Sequence, residues 1–251
     1  MNTSLPIYNK KDELVMVGIT ERGDAGLDLS WVDKLDSVRF AVSITKNVND
    51  EFIYEALDKK DQLIIHCTIT GLGGTEYEPN VPNMMDSYYK IIKLIELGFN
   101  PDQLVLRVDP IICNLKGYEA LDSVLKVFSV SGIKRVRYSF LDMYPHVKQR
   151  FLDSGILLPY TSFNPPLDKI KFAYDIIKPY RSVYQFESCA EIYEESDRIG
   201  CISKKDYDIL GIPFLGGMQS NQRKLCLCVN KKELLSNRRR CAHQCIYCYW
   251  K

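Results

Sequence analysis

Short apolar runs alternate with longer amphipathic stretches over the first three quarters of the chain. Each run is rich in Val, Ile, Phe or Tyr and has about the length of a buried strand. The pattern therefore predicts six strands, over residues 14–20, 38–45, 63–70, 104–112, 134–140 and 183–188.

The amphipathic stretches between these runs repeat with the period of a helix that buries one face. Asn49 or Asp50 can cap the first helix, and Gly98 and Gly132 stand where two others should end. We predict helices over residues 49–60, 83–98, 118–132 and 167–180.

Strands and helices that alternate through short links are typical of parallel βα units. About six such units predict an α/β fold, built as a full or partial (βα) barrel with about six parallel strands. An open, doubly wound sheet is the alternative architecture.

The pattern changes near residue 189, where glycines, polar residues and cysteines replace the alternating runs. We predict a barrel body over residues 1–188 and a cysteine-rich segment over residues 189–251. Metal would hold this segment against the mouth of the barrel.

Composition narrows the class of protein. The chain has 251 residues, 46% of them hydrophobic, and a formal net charge of +1. A charge this small gives no general attraction to nucleic acid or to a membrane surface. The sequence has neither a signal-peptide pattern nor an apolar run of roughly 18 residues, so we expect a cytoplasmic protein without a membrane partner.

Cysteines are numerous and unevenly placed. The chain has nine, and seven of them lie between Cys189 and Cys248. A secreted disulfide scaffold would be shorter and would spread its cysteines along the chain. Close clustering in a cytoplasmic protein indicates metal binding instead.

Polar residues follow each predicted strand, which is where parallel barrels carry their functional side chains. The polar segments cover residues 20–24, 45–47, 68–76, 107–110, 139–142 and 187–189. Within them, Lys46 and Arg107 could hold an anionic group of a substrate, and Asp109 could orient Arg107.

The strongest motif is Cys241-Ala-His-Gln-Cys245-Ile-Tyr-Cys248, with the spacing C-x3-C-x2-C. A tight loop can supply thiolates to three corners of a [4Fe–4S] cluster, which leaves the fourth iron open. An open iron can chelate S-adenosylmethionine and pass an electron to its sulfonium group. The competing interpretation is a Cys3His zinc site that includes His243.

These three cysteines, with Tyr247 before the last of them, resemble the radical S-adenosylmethionine superfamily. The resemblance implies a full or partial βα barrel, formation of a 5′-deoxyadenosyl radical, and an adenine contact from Tyr247. By the same resemblance, the glycine-rich stretch with Gly73, Gly74 and Glu76 would bind the methionine amine.

A closer resemblance is to an uncharacterised bacterial family, a domain of unknown function sometimes grouped near spore photoproduct lyase. The shared motifs are Thr45-Lys46-Asn47, Arg107-Val-Asp109-Pro110, Glu187-Ser-Cys189-Ala-Glu191, Asn221-Gln222-Arg223, Cys226-Leu-Cys228 and the ending through Tyr249.

The remaining four clustered cysteines form a second candidate site, made of Cys189, Cys201, Cys226 and Cys228. Four thiolates can complete a structural zinc site or an auxiliary iron–sulfur cluster. The C-x-C spacing is tighter than the usual zinc knuckle and favours iron–sulfur. Such a site would pin the C-terminal segment or relay electrons.

The sequence thus predicts a radical S-adenosylmethionine enzyme that takes electrons from a donor such as flavodoxin or ferredoxin. Its substrate, a small molecule or a nucleic acid, is open. The alternative is a nucleic-acid-binding or scaffold protein whose cysteines hold structural zinc or iron–sulfur and which performs no radical chemistry.

Overall fold

Eight parallel strands form one sheet in the computed structural model, which describes residues 14–191, 197–214, 216, 226–228, 231–237 and 239–251. The strands are β1 Val17–Ile19, β2 Ala41–Thr45, β3 Leu63–Thr68, β4 Leu104–Ile111, β5 Arg135–Phe140, β6 Gln185–Ser188, β7 Asp197–Arg198 and β8 Lys231–Glu233.

In the described part of the chain six α-helices accompany the strands: α1 Asp50–Asp58, α2 Met84–Glu96, α3 Leu115–Phe128, α4 Pro145–Asp153, α5 Leu167–Ile177 and α6 Lys204–Ile209. Short 3-10 helices cover Leu29–Ser37, Lys60–Gln62, Pro101–Gln103 and Lys178–Ser182. No helix in the described ranges is long and apolar enough to span a bilayer.

The strand order is β8-β1-β2-β3-β4-β5-β6-β7, so neighbours in the chain are neighbours in the sheet except at β8. Parallel β8 returns to pair with β1, with Gly18 opposite Lys232. Among the described residues β7 and β8 are the two edges of the sheet and do not pair with each other. The α/β prediction and its parallel strands are confirmed, although the sheet has eight strands and strand pairing does not close it.

The segment after residue 188 contributes both edge strands, β7 and β8, to the same sheet as the preceding residues. These strands are only two and three residues long, too short to give an apolar run in the sequence. The boundary between residues 1–188 and 189–251 stays a prediction. The motif over residues 221–223 lies outside the described residues.

All four predicted helices are present, and asparagines begin three of them. The Asn49 side chain accepts a hydrogen bond from the backbone N–H of Phe52 at 2.8 Å, and Asn83 and Asn114 cap α2 and α3 in the same way. Such caps satisfy amide groups that have no partner within the helix. Helix α4 was not predicted, since Val147 and Phe151 are its only buried apolar residues.

Side chains alternate between two faces of the sheet. On the outer face, Ile65, Leu106 and Tyr138 belong to the large core that also contains apolar residues of helices α1 to α5. The inner face carries a smaller core, which includes Val42 and Ile64. This period of two explains why the runs read as almost continuously apolar in sequence: both faces are covered.

Helix α6 fills part of the inner face. Its Tyr207 is buried and meets the ring of Phe40 edge-to-face, with 4.9 Å between ring centroids. Ile202 and Cys201, which precede the helix, lie in the same core. Described residues of the cysteine-rich segment are therefore part of the folded core.

A buried ionic network lies beside this helix. Glu187 of β6 accepts hydrogen bonds from Arg135 Nε at 2.9 Å and from Arg137 Nη2 at 2.8 Å, and its oxygen lies 3.0 Å from Lys205 Nζ. Arg135 also reaches Asp206 of α6 at 2.9 Å. Burial raises the pKa of Glu187, but the charges of Arg137 and Arg135 outweigh it and hold that pKa below its ordinary value.

We expect Glu187→Gln to lower the free energy of unfolding by about 3–5 kcal/mol, because it leaves the buried guanidinium group of Arg137 without its countercharge and Arg135 with Asp206 alone. Denaturant unfolding measures the loss. Asp208→Asn is the matched control, since its exposed pair with Lys204 on α6 should contribute only about 0.3–0.5 kcal/mol. Equal losses in the two variants would contradict the importance of the buried network.

Candidate metal centres at the carboxyl edge of the sheet

The final loop turns the three thiols of the C-x3-C-x2-C motif toward one cavity. Cys245 is buried, and Cys241 and Cys248 are half-buried. Two successive turns form the loop: the N–H of Gln244 donates to the carbonyl of Cys241, and that of Cys248 to the carbonyl of Cys245, both at 3.2 Å. Gln244 has a φ of 54°, the left-handed conformation that lets the chain reverse here. All three cysteines line a cavity of about 190 Å³.

Helix α4 fixes the backbone of this ending. Arg150 donates to the carbonyls of Cys248 and Trp250, each at 2.5 Å, and His146 Nε2 lies 2.8 Å from the carbonyl of Tyr249. These residues were missed in the sequence because α4 has too weak an apolar pattern to be predicted. The main chain around the last cysteine is therefore held by two side chains of helix α4.

His243, the residue between the first two cysteines, is buried and bound through both ring nitrogens. Its Nε2 lies 3.0 Å from a carboxylate oxygen of Asp24, and its Nδ1 lies 3.2 Å from the carbonyl of Asn80. Both partners are hydrogen-bond acceptors. Neither nitrogen is left to face the thiols.

Asp24 binds several separate segments of the chain. Besides His243, it accepts hydrogen bonds from the Thr45 hydroxyl at 2.6 Å and from the Lys46 backbone N–H at 2.7 Å. Burial raises the pKa of this carboxyl, but the bond to His243 leads the effects that hold the pKa below its ordinary value. The end of β2 and the final loop are thus joined through one buried carboxylate.

Tyr247 is also anchored at its polar end. Its hydroxyl donates to Glu78 and lies 2.9 Å from Lys46 Nζ, while Lys46 forms an ion pair of 2.7 Å with the same carboxylate. Burial would lower the pKa of Lys46, but the charge of Glu78 outweighs it and raises that pKa. Burial also raises the pKa of Tyr247 well above its ordinary value.

Glu78 was missed in the sequence, where Glu76 was chosen from the same acidic stretch. The structure leaves only 1% of Glu78 exposed, while Glu76 is exposed and pairs with Lys116 at 2.7 Å. Lys46, expected to hold a substrate anion, pairs with Glu78 and Tyr247 and also lines the cavity of the final loop. Its role toward a substrate stays a prediction.

Arg107 and Asp109 lie on the inner face of β4. Arg107 Nε donates to Asp109 at 2.8 Å, and Ser139 of β5 donates to the other oxygen of that carboxylate. The expected contact between Arg107 and Asp109 is therefore present. Burial raises the pKa of Asp109, but the charge of Arg107 outweighs it and lowers that pKa. Arg107 Nη1 is buried and has no hydrogen-bond partner in the part of the chain that the structure describes.

The second group of cysteines is brought together from three separate segments. The Sγ atoms of Cys189, Cys226 and Cys228 all lie within 4.8 Å of one another. The thiol of Cys201 is in hydrogen-bond contact with those of Cys189 and Cys228. All four line a cavity of about 500 Å³, larger than the one beside the final loop.

The two cavities meet at a common set of side chains: Glu21, Arg107, Asp109, Tyr249 and Trp250 line both of them. One group of cysteines thus faces each side of the pair formed by Arg107 and Asp109. The final loop lies at the carboxyl ends of the strands, beside Thr45 and Thr68, which is the edge at which parallel sheets carry their binding sites. Cys201, Cys226 and Cys228 of the second group pack instead in the core on the inner face of the sheet.

A comparison with protein families matches residues 30–250 to the family described as "Domain of unknown function (DUF1848)". The chain belongs to this family. A search of curated proteins gives no match. The resemblance to an uncharacterised family is thereby confirmed, and membership in the DUF1848 family assigns no activity.

Gly73, Gly74 and Glu76 of this DUF1848 protein do not line either cavity. A Cβ atom at Gly73 would lie 2.0 Å from the carbonyl oxygen of Pro82, so the close approach of two backbone segments explains this glycine. Gly74 has a φ of 75°, which favours glycine on conformational grounds alone. Their role in binding a methionine amine stays a prediction.

We expect Asp109→Asn to lower the free energy of unfolding by about 1.5–3 kcal/mol at neutral pH, because Arg107 loses a charged acceptor. The folded-state pKa of Asp109 is depressed, so its contribution is complete above the ordinary value of 3.8 and declines as the pH falls below it. The difference between wild type and variant should therefore shrink in acid.

Urea unfolding from about pH 7 down to about pH 3 tests this dependence. Asp33→Asn, at an exposed position, is the control. A difference that stays constant over the whole range would show that Asp109 stabilises the fold by its shape rather than by its charge.

Proposed function

We propose that this protein is a radical S-adenosylmethionine-type enzyme whose [4Fe–4S] cluster is held by Cys241, Cys245 and Cys248. The observation that carries the proposal is the arrangement of the final loop, whose three cysteines all line one cavity at the carboxyl edge of a parallel sheet. Three thiolates are one fewer than the irons of a cubane, so one iron would remain open.

When bound, such a cluster would supply one electron to the sulfonium of S-adenosylmethionine, giving methionine and a 5′-deoxyadenosyl radical that takes a hydrogen atom from the substrate. The chain's own contribution is placement. Lys46 and Glu78 hold the hydroxyl of Tyr247, so that its ring stays in the wall of the cavity beside Cys245. In this position Tyr247 could contact an adenine.

The position of His243 bears on whether one iron of the cluster keeps a free coordination position. A histidine inside the cysteine loop could in principle complete a Cys3His zinc site. Its two nitrogens, however, face Asp24 and Asn80, which supports a loop that offers three ligands only. The contact between His243 and Asp24 would position the loop.

The larger cavity suits a substrate. Arg107 lies where the two cavities meet, and its unpartnered, buried Nη1 could bind a carboxylate or phosphate of a substrate. Asp109 and Ser139 would keep the guanidinium group in place. Lys46 would act by positioning Tyr247 rather than by binding the same anion. A flavodoxin or ferredoxin would deliver the electron.

Protein purified without oxygen and reduced with dithionite should cleave S-adenosylmethionine to 5′-deoxyadenosine and methionine. Cys245→Ala should abolish this product, because it removes a cluster ligand. Cys67→Ala is the matched control, since Cys67 lies on the outer face of the sheet and lines neither cavity. Chromatography of the products measures the yield.

If wild type with an intact cluster forms no more 5′-deoxyadenosine than Cys245→Ala, the radical assignment is wrong. The alternative would then be a metal-stabilised binding or scaffold protein.

We expect His243→Gln to retain the iron and sulfide of the C-terminal site, because the imidazole is bound to Asp24 and Asn80 rather than aimed at the thiols. The variant should be less stable, since the buried Asp24 loses its contact with the imidazole. Iron and sulfide analysis tests the first expectation and thermal unfolding the second. Loss of metal from a folded His243→Gln variant would mean that the histidine is a ligand.

A further inference from the structure

The spacing of the second group of thiols distinguishes between two kinds of metal centre. Thiolates bound to one tetrahedral zinc, with Zn–S bonds of about 2.3 Å, lie roughly 3.8 Å apart. Thiolates that bind four different irons of a cubane stand farther apart, at roughly 6 Å or more. The Sγ atoms of Cys189, Cys226 and Cys228 fall within 4.8 Å of one another. This spacing is that of a mononuclear site.

We propose that Cys189, Cys201, Cys226 and Cys228 bind a single Zn²⁺ ion in a tetrahedral tetrathiolate site. The fourth ligand is Cys201, whose thiol contacts those of Cys189 and Cys228 but is not one of the three that lie within 4.8 Å of one another, so binding of the ion would draw it in. This site is independent of the radical chemistry proposed for the C-terminal loop. It also differs from the auxiliary iron–sulfur cluster that the short C-x-C spacing favoured in the sequence.

Backbone amides support the site at the sulfur atoms. The N–H of Leu227 points at Cys189 Sγ, 3.3 Å away, and the N–H of Cys201 points at Cys228 Sγ, 3.1 Å away. Hydrogen bonds of this kind orient metal-bound ligands and stabilise their charge. Each bond joins two different segments, so the amides and the thiols converge on the same point.

The approach of these segments depends on Gly200 and Arg137. A Cβ atom at Gly200 would lie 2.5 Å from the carbonyl oxygen of Leu227, so any larger residue would push the C-x-C segment away. Arg137 donates to the carbonyls of Ile199 and Gly200, at 2.8 and 2.9 Å, and fixes the chain just before Cys201. The ligands are therefore placed by the body of the protein.

The charged side chains around the second cysteine group are consistent with an ion that is bound by four thiolates. Zn²⁺ with four thiolates has a net charge of −2, and the site is mostly buried. The guanidinium groups of Arg107 and Arg137 line the same cavity and offset part of that charge. The ion would link the end of β6 and the start of α6 to residues 226–228. Together these segments would form one wall of the larger cavity.

Metal analysis of the full chain, purified without oxygen, tests the proposal. We expect one zinc per chain in wild type, lost in Cys226→Ser and retained in Cys245→Ala, which should lose iron and sulfide instead. Cys67→Ser, outside both groups, should lose neither. Failure of the radical proposal would alter only the metal or the reaction assigned to Cys245, so the two hypotheses fail separately.

Cobalt substitution provides a readout that needs no variant. Wild-type protein loaded with one Co²⁺ per chain should show the intense visible and charge-transfer bands of a tetrahedral cobalt thiolate, and one equivalent of Zn²⁺ should abolish them. Loss of four irons with sulfide from Cys226→Ser would overturn the proposal. So would loss of a single iron, or cobalt bands that never develop in wild type.

Discussion

Charged side chains on the inner face of the sheet have to be paired, because the chain after residue 188 buries that face. Glu187 binds Arg135 and Arg137 and is closed off from water. Arg137 then holds the carbonyls of Ile199 and Gly200. These charge pairs therefore fix the backbone at Ile199 and Gly200, immediately before Cys201. The position of the Cys201 thiol in the second cysteine group follows from that placement.

The requirement that buried charges be paired also applies at the carboxyl ends of the strands, where two buried carboxylates bind side chains of the final loop. Asp24 binds His243, and Glu78 binds Tyr247 together with Lys46. Each carboxylate is placed by the body of the protein, while its partner belongs to the cysteine motif. An unpaired carboxylate at either position would destabilise the fold. The two carboxylates therefore favour a single arrangement of the final loop, whether or not a metal is bound.

Two cysteine groups of different geometry therefore lie on either side of Arg107. In the functions proposed here they have different tasks: the final loop offers three thiolates and leaves a coordination position open, whereas the second group saturates its ion. An ion with four protein ligands has no free coordination position and contributes only to the wall of a cavity. An ion with a free coordination position can bind a cosubstrate. The membership of the chain in the DUF1848 family is compatible with this division, since that family has no assigned activity.

The sequence by itself determined the elements whose signals are local. Its apolar runs located six strands, Asn49 indicated the start of a helix, and the clustering of cysteines separated two candidate sites. The edge strands β7 and β8 escaped because a strand of two or three residues has no readable period. Only the tertiary structure decided that Glu78 meets Tyr247 and Asp24 meets His243, across 169 and 219 residues. Local periodicity carries no information about such partners, because their proximity depends on how the sheet and the final loop come together in space.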